Sequence, residues 1–328
     1  MNNVFFENLA LTKVGEVYAV PGVRASAAPF YSNEASAYAN IINLKNTNKG
    51  YSYALSAQLE KYFDFGLDVA ASYTYGRSRS VNDGTSSVAY SNWRFNYSRD
   101  TNGPGEMGYS KFDIPHRVMV RLNYNSPKYC KGWLSTSVGI VYTGTSGGRY
   151  SLTMNEKDDF NCDGWRGNNL LYIPTKDELS KMNFIASTDK KGNVTTADQA
   201  RQLFEDWIQG NSYARTHRGQ YAERNSCMTD WENNIDLHFG QSIHLKNLVR
   251  LEFTLDVINF TNMLNKRWGT TYGNAYNVSP IMVNKIVKTG AAGNIVAEPS
   301  YTYNPNANPT PSDIASRWHM QLGFRIAF

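Results

Sequence analysis

Asp159, Asn161 and Asp163, followed by Gly164, are the residues whose types and spacing come nearest to a defined chemistry. They match the first half of a D-x-[DN]-x-[DN]-G calcium loop. There, alternate oxygen-bearing side chains converge on one hard cation and the glycine permits a sharp turn. The twelfth position is Leu170 rather than Glu, so the usual bidentate ligand is missing and any calcium held there is held weakly. An Asx-rich turn without an ion fits the same residues, and the sequence leaves both readings open. Asp236 and Glu252 fall on adjacent strands, where two carboxylates can share acid/base work. Arg250 and Arg325 lie on the same polar face, however, so ion pairing is the expectation. His116, His238 and His319 are expected on that face too, as hydrogen-bonded side chains. The chain has no His-Glu-x-x-His, Gly-x-Ser-x-Gly, P-loop or Cys-x-x-Cys pattern, so no enzyme activity is expected and no cofactor other than calcium. Lys and Arg are scattered, and the formal charge is only +5. That distribution leaves no nucleic-acid footprint. Cys162 and Cys227 share one long loop and are placed to pair, leaving Cys130 over; three free thiols is the alternative.

The elements that would carry these residues are strands. From Trp318 the chain ends with Trp318, Met320, Leu322, Phe324, Ile326 and Phe328 alternating with His319, Gln321, Gly323, Arg325 and Ala327. Period-2 patterning over this length, closed by a terminal Phe, fits a tilted transmembrane β-strand of ~9–11 residues. Trp318, Phe324, Ile326 and Phe328 are the residues expected to be read as an assembly signal. The same alternation recurs at 51–60, 65–76, 117–124, 134–142, 231–239 and 249–257. Adding Val4–Thr12 gives about eight strands. Abundant Tyr (22) beside Phe (15) and Trp (7) suits rings placed at membrane–water interfaces.

Connections alternate between short (62–64, 125–132, 241–247) and long (77–112, 144–230, 258–316). Outer-membrane barrels place short turns on the periplasmic side and long loops outside, which puts the C-terminus in the periplasm. Within the long loops, Thr196–Gln199 reads as a capping box before a helix with Ala200, Leu203, Phe204, Trp207 and Ile208 at helical spacing. The spacing predicts a helix that packs the loop onto the barrel rim. Thr175–Met182 reads as another helical turn. Ile281–Val287 and Asn294–Tyr303 read as a hairpin, and Asn304–Pro311 as an irregular, mobile linker. Charges facing inward (Glu60, Asp68, Arg121, Asp236, Arg250, Glu252, Arg325) suit a wide wet lumen better than a small packed barrel.

Several segments also carry a family resemblance. They are Asn46–Tyr53 with Gln58–Lys61, Tyr109 to Asp113-Ile-Pro-His-Arg117, and Tyr142–Ser151. Further on come Asn168–Pro174, Arg224–Ser226 with Trp231, and Asn259–Gly269. In this order they resemble the C-terminal part of TonB-dependent outer-membrane receptors. The group is the Oar-like, carboxypeptidase-regulatory-domain-bearing class of Bacteroidetes. The resemblance implies that residues 1–328 are the last third of a 22-stranded barrel, with a plug domain, a TonB box and the first strands lying N-terminal to it. The N-terminus shows no secretory signal, which agrees with that expectation. The implied partners are outer-membrane lipid, the barrel-assembly machinery, TonB through the plug, and a surface lipoprotein. The implied function is nutrient import. A stand-alone barrel with a structural or adhesive role, and a soluble calcium-dependent carbohydrate-binding β protein, are the alternatives.

Overall fold

The computed structural model describes residues 4–5, 13–14, 17–18, 43–44, 46–99, 105–156, 165–245, 248–273, 277–284, 287–289, 295–297 and 300–328. Its largest sheet is an antiparallel meander. In chain order its long strands are β1 (Tyr51–Tyr62), β2 (Leu67–Ser80), β3 (His116–Asn125), β4 (Leu134–Thr145), β5 (Glu232–Leu245), β6 (Val249–Ile258) and β7 (His319–Ala327). Each has 9 to 14 residues, the length that crosses a bilayer at a tilt. A two-residue strand, Gly108–Tyr109, joins the far end of β2. The expected eighth strand at Val4–Thr12 is not part of this sheet where it is described: Val4–Phe5 pairs with Asn43–Leu44 in a separate ribbon. Residues 6–12 lie outside the described residues.

Pairing runs without a slip from β1 to β7. Because side chains alternate with period 2, an unbroken register sorts every strand's residues onto the same two faces. The connections sort as well. Those at 63–66, 126–133 and 246–248 lie at one end, and those at 81–115, 146–231 and 259–318 lie at the other. Ala327 pairs with Arg250, so β7 finishes at the short-turn end. In the tightest turn, Gly66 has φ +96°, and a Cβ there would sit 2.1 Å from the Asn125 carbonyl oxygen. Only glycine fits that conformation and that approach.

The apolar core is not in this sheet. It is built from the second and third long loops, around Leu152, Leu171, Ile173, Phe204, Ile208 and Ile281. Among the described residues, four helices stand in the first two loops: α1 (Ala89–Arg94), α2 (Lys176–Lys181), α3 (Ala197–Gly210) and α4 (Ser212–Thr216). Thr175 opens α2 and Thr196 opens α3. In each, the Thr hydroxyl accepts an N3 backbone N–H, and the N3 Glu178 or Gln199 side chain accepts the cap's own N–H. Contrary to expectation, α3 does not pack on the barrel rim. Its Ala200, Phe204, Trp207 and Ile208 are buried in the loops' own core, each large side chain contributing about 1.5–3 kcal/mol. The expected hairpin forms, with Ile281–Asn284 on Ser300–Tyr303 and Val287–Thr289 on Ile295–Ala297. The segment after Tyr303 is irregular, yet it is no mere linker. Ala307 is in the core, and its carbonyl accepts the Trp207 indole N–H at 2.8 Å. The three long loops thus make a folded cap on one end of the sheet.

Candidate functional site

One face of the sheet is apolar from edge to edge. Leu59, Ala71, Val120, Tyr142, Ile235, Val257 and Met320 fall on it, as do Leu237, Ile140, Leu122 and Val69, and β7's Leu322, Phe324 and Ile326. Leu59 and Leu322 are each 80 % exposed. Water-soluble proteins seldom expose contiguous apolar patches beyond a few hundred Å², whereas lipid welcomes them. The face ends in aromatic belts. Tyr51, Tyr53, Tyr73, Tyr75, Trp231 and Trp318 mark the long-loop end; Phe63, Phe65, Tyr129, Trp133 and Phe328 mark the short-turn end. Rings at both boundaries are the pattern of a membrane wall.

His116 belongs to this outer face and not to the polar one. It shares the face of Val118 and pairs opposite Tyr75, and its Nδ1 lies 2.8 Å from the Tyr73 hydroxyl. Its ring also neighbours Trp231, at 6.5 Å between centroids. His116 has the parity of Val118, so the alternation itself sends it outward, into the aromatic belt.

The opposite face is polar and cross-linked by charge. Arg121 donates to Glu60 at 2.9 Å and to Asp68 at 3.1 Å. Arg250 pairs with Glu252 at 3.2 Å, and His238 Nδ1 lies 2.6 Å from Asp256. Glu252 is thus ion-paired as expected. Asp236 instead accepts the Asn259 backbone N–H at 2.8 Å. Each of these side chains finds at least one partner on or beside the same face, which is what a wall lining a wet lumen requires.

Cap and wall are joined by buried polar clamps. Asp113, from the Asp-Ile-Pro-His-Arg segment before β3, has a fully buried side chain. Arg149, just after β4, donates to its Oδ2 twice, at 2.9 Å from Nε and 2.6 Å from Nη2. The Ser78 N–H donates to Oδ1 at 2.6 Å. The Arg149 guanidinium also stacks on Tyr109, 3.9 Å from the ring centre. Beside it, buried Arg224 donates to the carbonyls of Val81 and Ser80 and to Asn96. Gly108 permits this approach, since a Cβ there would stand 2.8 Å from the Arg224 Cβ. Burial holds the Arg224 guanidinium below its ordinary value, opposed by nearby Asp83. On the other side, Asn259 takes a left-handed conformation (φ 55°), and its amide donates to Gly269 and Ser316, at 2.7 and 2.8 Å. That closes the base of the third loop. The Tyr272 hydroxyl bonds Asp230 at 2.5 Å, an acceptor that raises the phenol to about 12.

Four of the segments that carry the resemblance, Tyr109–Arg117, Tyr142–Ser151, Arg224–Ser226 and Asn259–Gly269, therefore supply clamps at the rim. Sequence reasoning missed the Asp113–Arg149 pair. The signal was present: the two residues flank β3 and β4, neighbouring strands, at the same end. A cleft of about 280 Å³ lies between the first two loops. The amides of Asn82, Asn92 and Asn96 on its wall are committed to loop carbonyls. The expected calcium ligands Asp159, Asn161 and Asp163, and Cys162, lie outside the described residues. Among the described residues no cluster of three or more His, Cys, Asp or Glu could hold a metal. Cys227 is a free, buried thiol, pushed up to about 11 chiefly by burial.

A lipid-facing outer surface, a charged inner one and loops segregated by length are together the construction of an outer-membrane wall. Comparison with known proteins agrees. Residues 8–315 match the family model described as an outer membrane beta barrel domain. No curated protein and no solved structure matches the chain. A match over nearly the whole chain, on a fold with these faces, shows that the chain belongs to the outer membrane beta barrel domain family.

Proposed function

We propose that the chain forms a sector of the barrel wall, with its extracellular ligand-capture loops, of a TonB-dependent nutrient importer. The observation that carries the reading is the folded cap. Loops that spend a hydrophobic core and two buried arginines on a fixed shape are built to present a surface, unlike the plain loops a structural barrel needs. Both sheet edges, β1 and β7, lack a second partner among the described residues. In lipid, unpaired N–H and C=O groups cost several kcal/mol each, so the proposed barrel has further strands, 22 in all. On this reading a plug inside the lumen meets the charged face. TonB acts through that plug, lipoprotein caps the outside, and Phe328 at the short-turn end is recognised during assembly. The short turns and the C-terminus face the periplasm. Calcium at Asp159, Asn161 and Asp163 would brace the second loop.

The test uses the receptor isolated from outer membranes through an affinity tag set in the exposed Lys190–Gly192 turn. Retention on immobilised TonB C-terminal domain is the expected result. A tagged polypeptide that carries no further strands or plug and is not retained would refute the importer in favour of a stand-alone barrel.

A further inference from the structure

Three side chains on the inner face stand in the order of a nucleophile, a base and the acid that orients it. His238 on β5 lies opposite Asp256 on β6 and opposite Gly139 on β4, while Ser137 on β4 lies opposite Gly240. Val138, Phe239 and Val257 face lipid, so Ser137, His238 and Asp256 all face the lumen. Asp256 Oδ1 lies 2.6 Å from His238 Nδ1, and the Ser137 hydroxyl lies 3.5 Å from His238 Nε2. An ionised carboxylate only accepts, so Nδ1 carries the proton and Nε2 keeps the lone pair that a general base needs. The 3.5 Å contact is long for a hydrogen bond, but nucleophile and base often stand apart without substrate and tighten when it binds.

Gly240 makes this meeting possible. A Cβ there would collide with Ser137 Oγ and press on His238 Nε2, driving the two apart. Gly139 clears the other corner of the same square. Asn123 Oδ1 and His238 Cβ each lie 3.2 Å from the place its Cβ would take. The glycines thus leave a trough in the wall, with Ser137 and His238 on its diagonal and Asn123 at its edge. The Asn123 amide, turned to present its N–H groups, would face an oxyanion formed there. The wall also carries its own comparison. Ser135, nearer the short turns, lies 2.9 Å from His244 Nε2, but among the described residues no carboxylate is hydrogen-bonded to that imidazole. Residues 137, 238 and 256 come from separate strands, so no local sequence pattern announces them; only the register unites them.

We propose that Ser137, His238 and Asp256 form a hydrolytic site on the lumen wall that acts on carboxylic esters. Ser137 Oγ bonds to the ester carbonyl carbon while its proton passes to His238 Nε2. The carbonyl electron pair moves onto oxygen and returns as the bond to the alcohol oxygen breaks. The alcohol leaves with the proton from Nε2. A water molecule then attacks the acyl-serine in the same way. Its proton goes to Nε2, the acid is released, and Ser137 takes the proton back. Asp256 is a positioning residue that holds the imidazole tautomer. An ester suits a site with few oxyanion donors, because an alcohol oxygen leaves more readily than an amide nitrogen. The proposal goes beyond transport and does not depend on it.

The test uses the intact protein, purified in detergent, with p-nitrophenyl butyrate as substrate and a fluorophosphonate as covalent probe. Nitrophenol release, and a phosphonate mapped to Ser137 by mass spectrometry, are expected. Ser137→Ala and His238→Gln should each lower kcat/KM by about a hundredfold or more and stop the labelling. Asp256→Asn should lower kcat by about tenfold or more with KM little changed, a split that a merely structural role would not produce. Ser135→Ala should leave the rate unchanged. Heat-modifiable migration checks that each variant is folded; should Ser137→Ala fail to assemble, the residue labelled in the unaltered protein decides. No hydrolysis beyond that of free imidazole, a label on another residue, or turnover that survives in folded Ser137→Ala would each overturn the proposal. None of these readouts involves TonB, so this failure and failure of the TonB test are separate events.

Discussion

Removing the Asp113 carboxylate should release the cap while leaving the wall intact. The Asp113 side chain is wholly buried and that of Arg149 is 4 % exposed. Asp113→Ala would strand a guanidinium that now makes two short hydrogen bonds to one oxygen, and would orphan the Ser78 N–H. Deleting one partner of a buried ion pair costs about 3–5 kcal/mol, because the other charge is left without compensation. At about 1.4 kcal/mol per tenfold, the opening equilibrium of the rim should rise roughly 140- to 3,700-fold. The assay is amide hydrogen exchange in Arg149–Leu152 and its paired strand Cys227–Met228. Amides in the middle of β3 and β4 are the internal control, and they should not change. A second variant sharpens the argument. Replacing both partners, Asp113→Ala with Arg149→Met, removes the buried charge and should recover most of the loss. Exchange altered by less than about fivefold in Asp113→Ala, or loss of protection spread equally through the wall, would refute the clamp.

The remaining expectations follow from the faces, the cap and the two ends. Leu322→Arg, mid-strand on the outer face, should cost about 2–4 kcal/mol in bilayer unfolding titrations, whereas neighbouring Gln321→Arg, on the inner face opposite Asp256, should cost less than about 1; equal costs would mean the faces are misassigned. Glu205 is pushed up by burial but pulled below the usual carboxylate value by Arg218, which donates to both its oxygens at 2.7 Å. A depressed value means stability that is present above the ordinary ~4.3 and lost as pH falls through the lowered value. Trp207 fluorescence should therefore report loosening below about pH 4, a dependence that Glu205→Gln should flatten. In a Cys162→Ser background, an impermeant maleimide should label exposed Cys130 only after the outer membrane is permeabilised, and buried Cys227 hardly at all; labelling of Cys130 on intact cells would invert the orientation. Deleting Phe328 should cut the level of heat-modifiable, assembled protein severalfold, and unchanged assembly would remove its role as a signal.

The wall was legible because its physics is local. A strand with lipid on one side and water on the other must alternate, so Phe324 and Leu251 announce their face from sequence alone. Loop lengths gave the two ends because successive connections of a meander fall at alternate ends, so a short–long alternation along the chain sorts the two lengths by end. His116 reads as an inward residue only by its polarity; its parity is that of Val118, and the aromatic belt tolerates a polar ring. The cap escaped because much of its core is assembled from distant, short pieces: Leu152, Ile173 and Ile281 meet across loops whose strands have only two to four residues. Such pieces carry no readable period. The Asp113–Arg149 clamp joins residues 36 apart in sequence, and a lone Asp and a lone Arg look like solvated loop charges until the register of β3 with β4 is known.

The position of the core also constrains how the wall can close. A sheet wetted on its inner face cannot be held by an interior, so only its ladders and the lipid hold it. An eight-stranded barrel encloses a space just wide enough for side chains to fill. Seven strands curled on themselves would bring Arg121, Glu60 and Asp68 of one side against Arg250, Glu252 and Asp256 of the other. All of these already have partners on the same face and keep exposed surface that expects water. Closing that tightly would dehydrate every one of them, at several kcal/mol per ion, to relieve two edges. Adding strands relieves the edges without that cost and keeps the inner face wet. On the proposed reading, the charge pattern of the inner face and the edges left unpaired among the described residues call for the same solution, a wider barrel of which these strands are one arc.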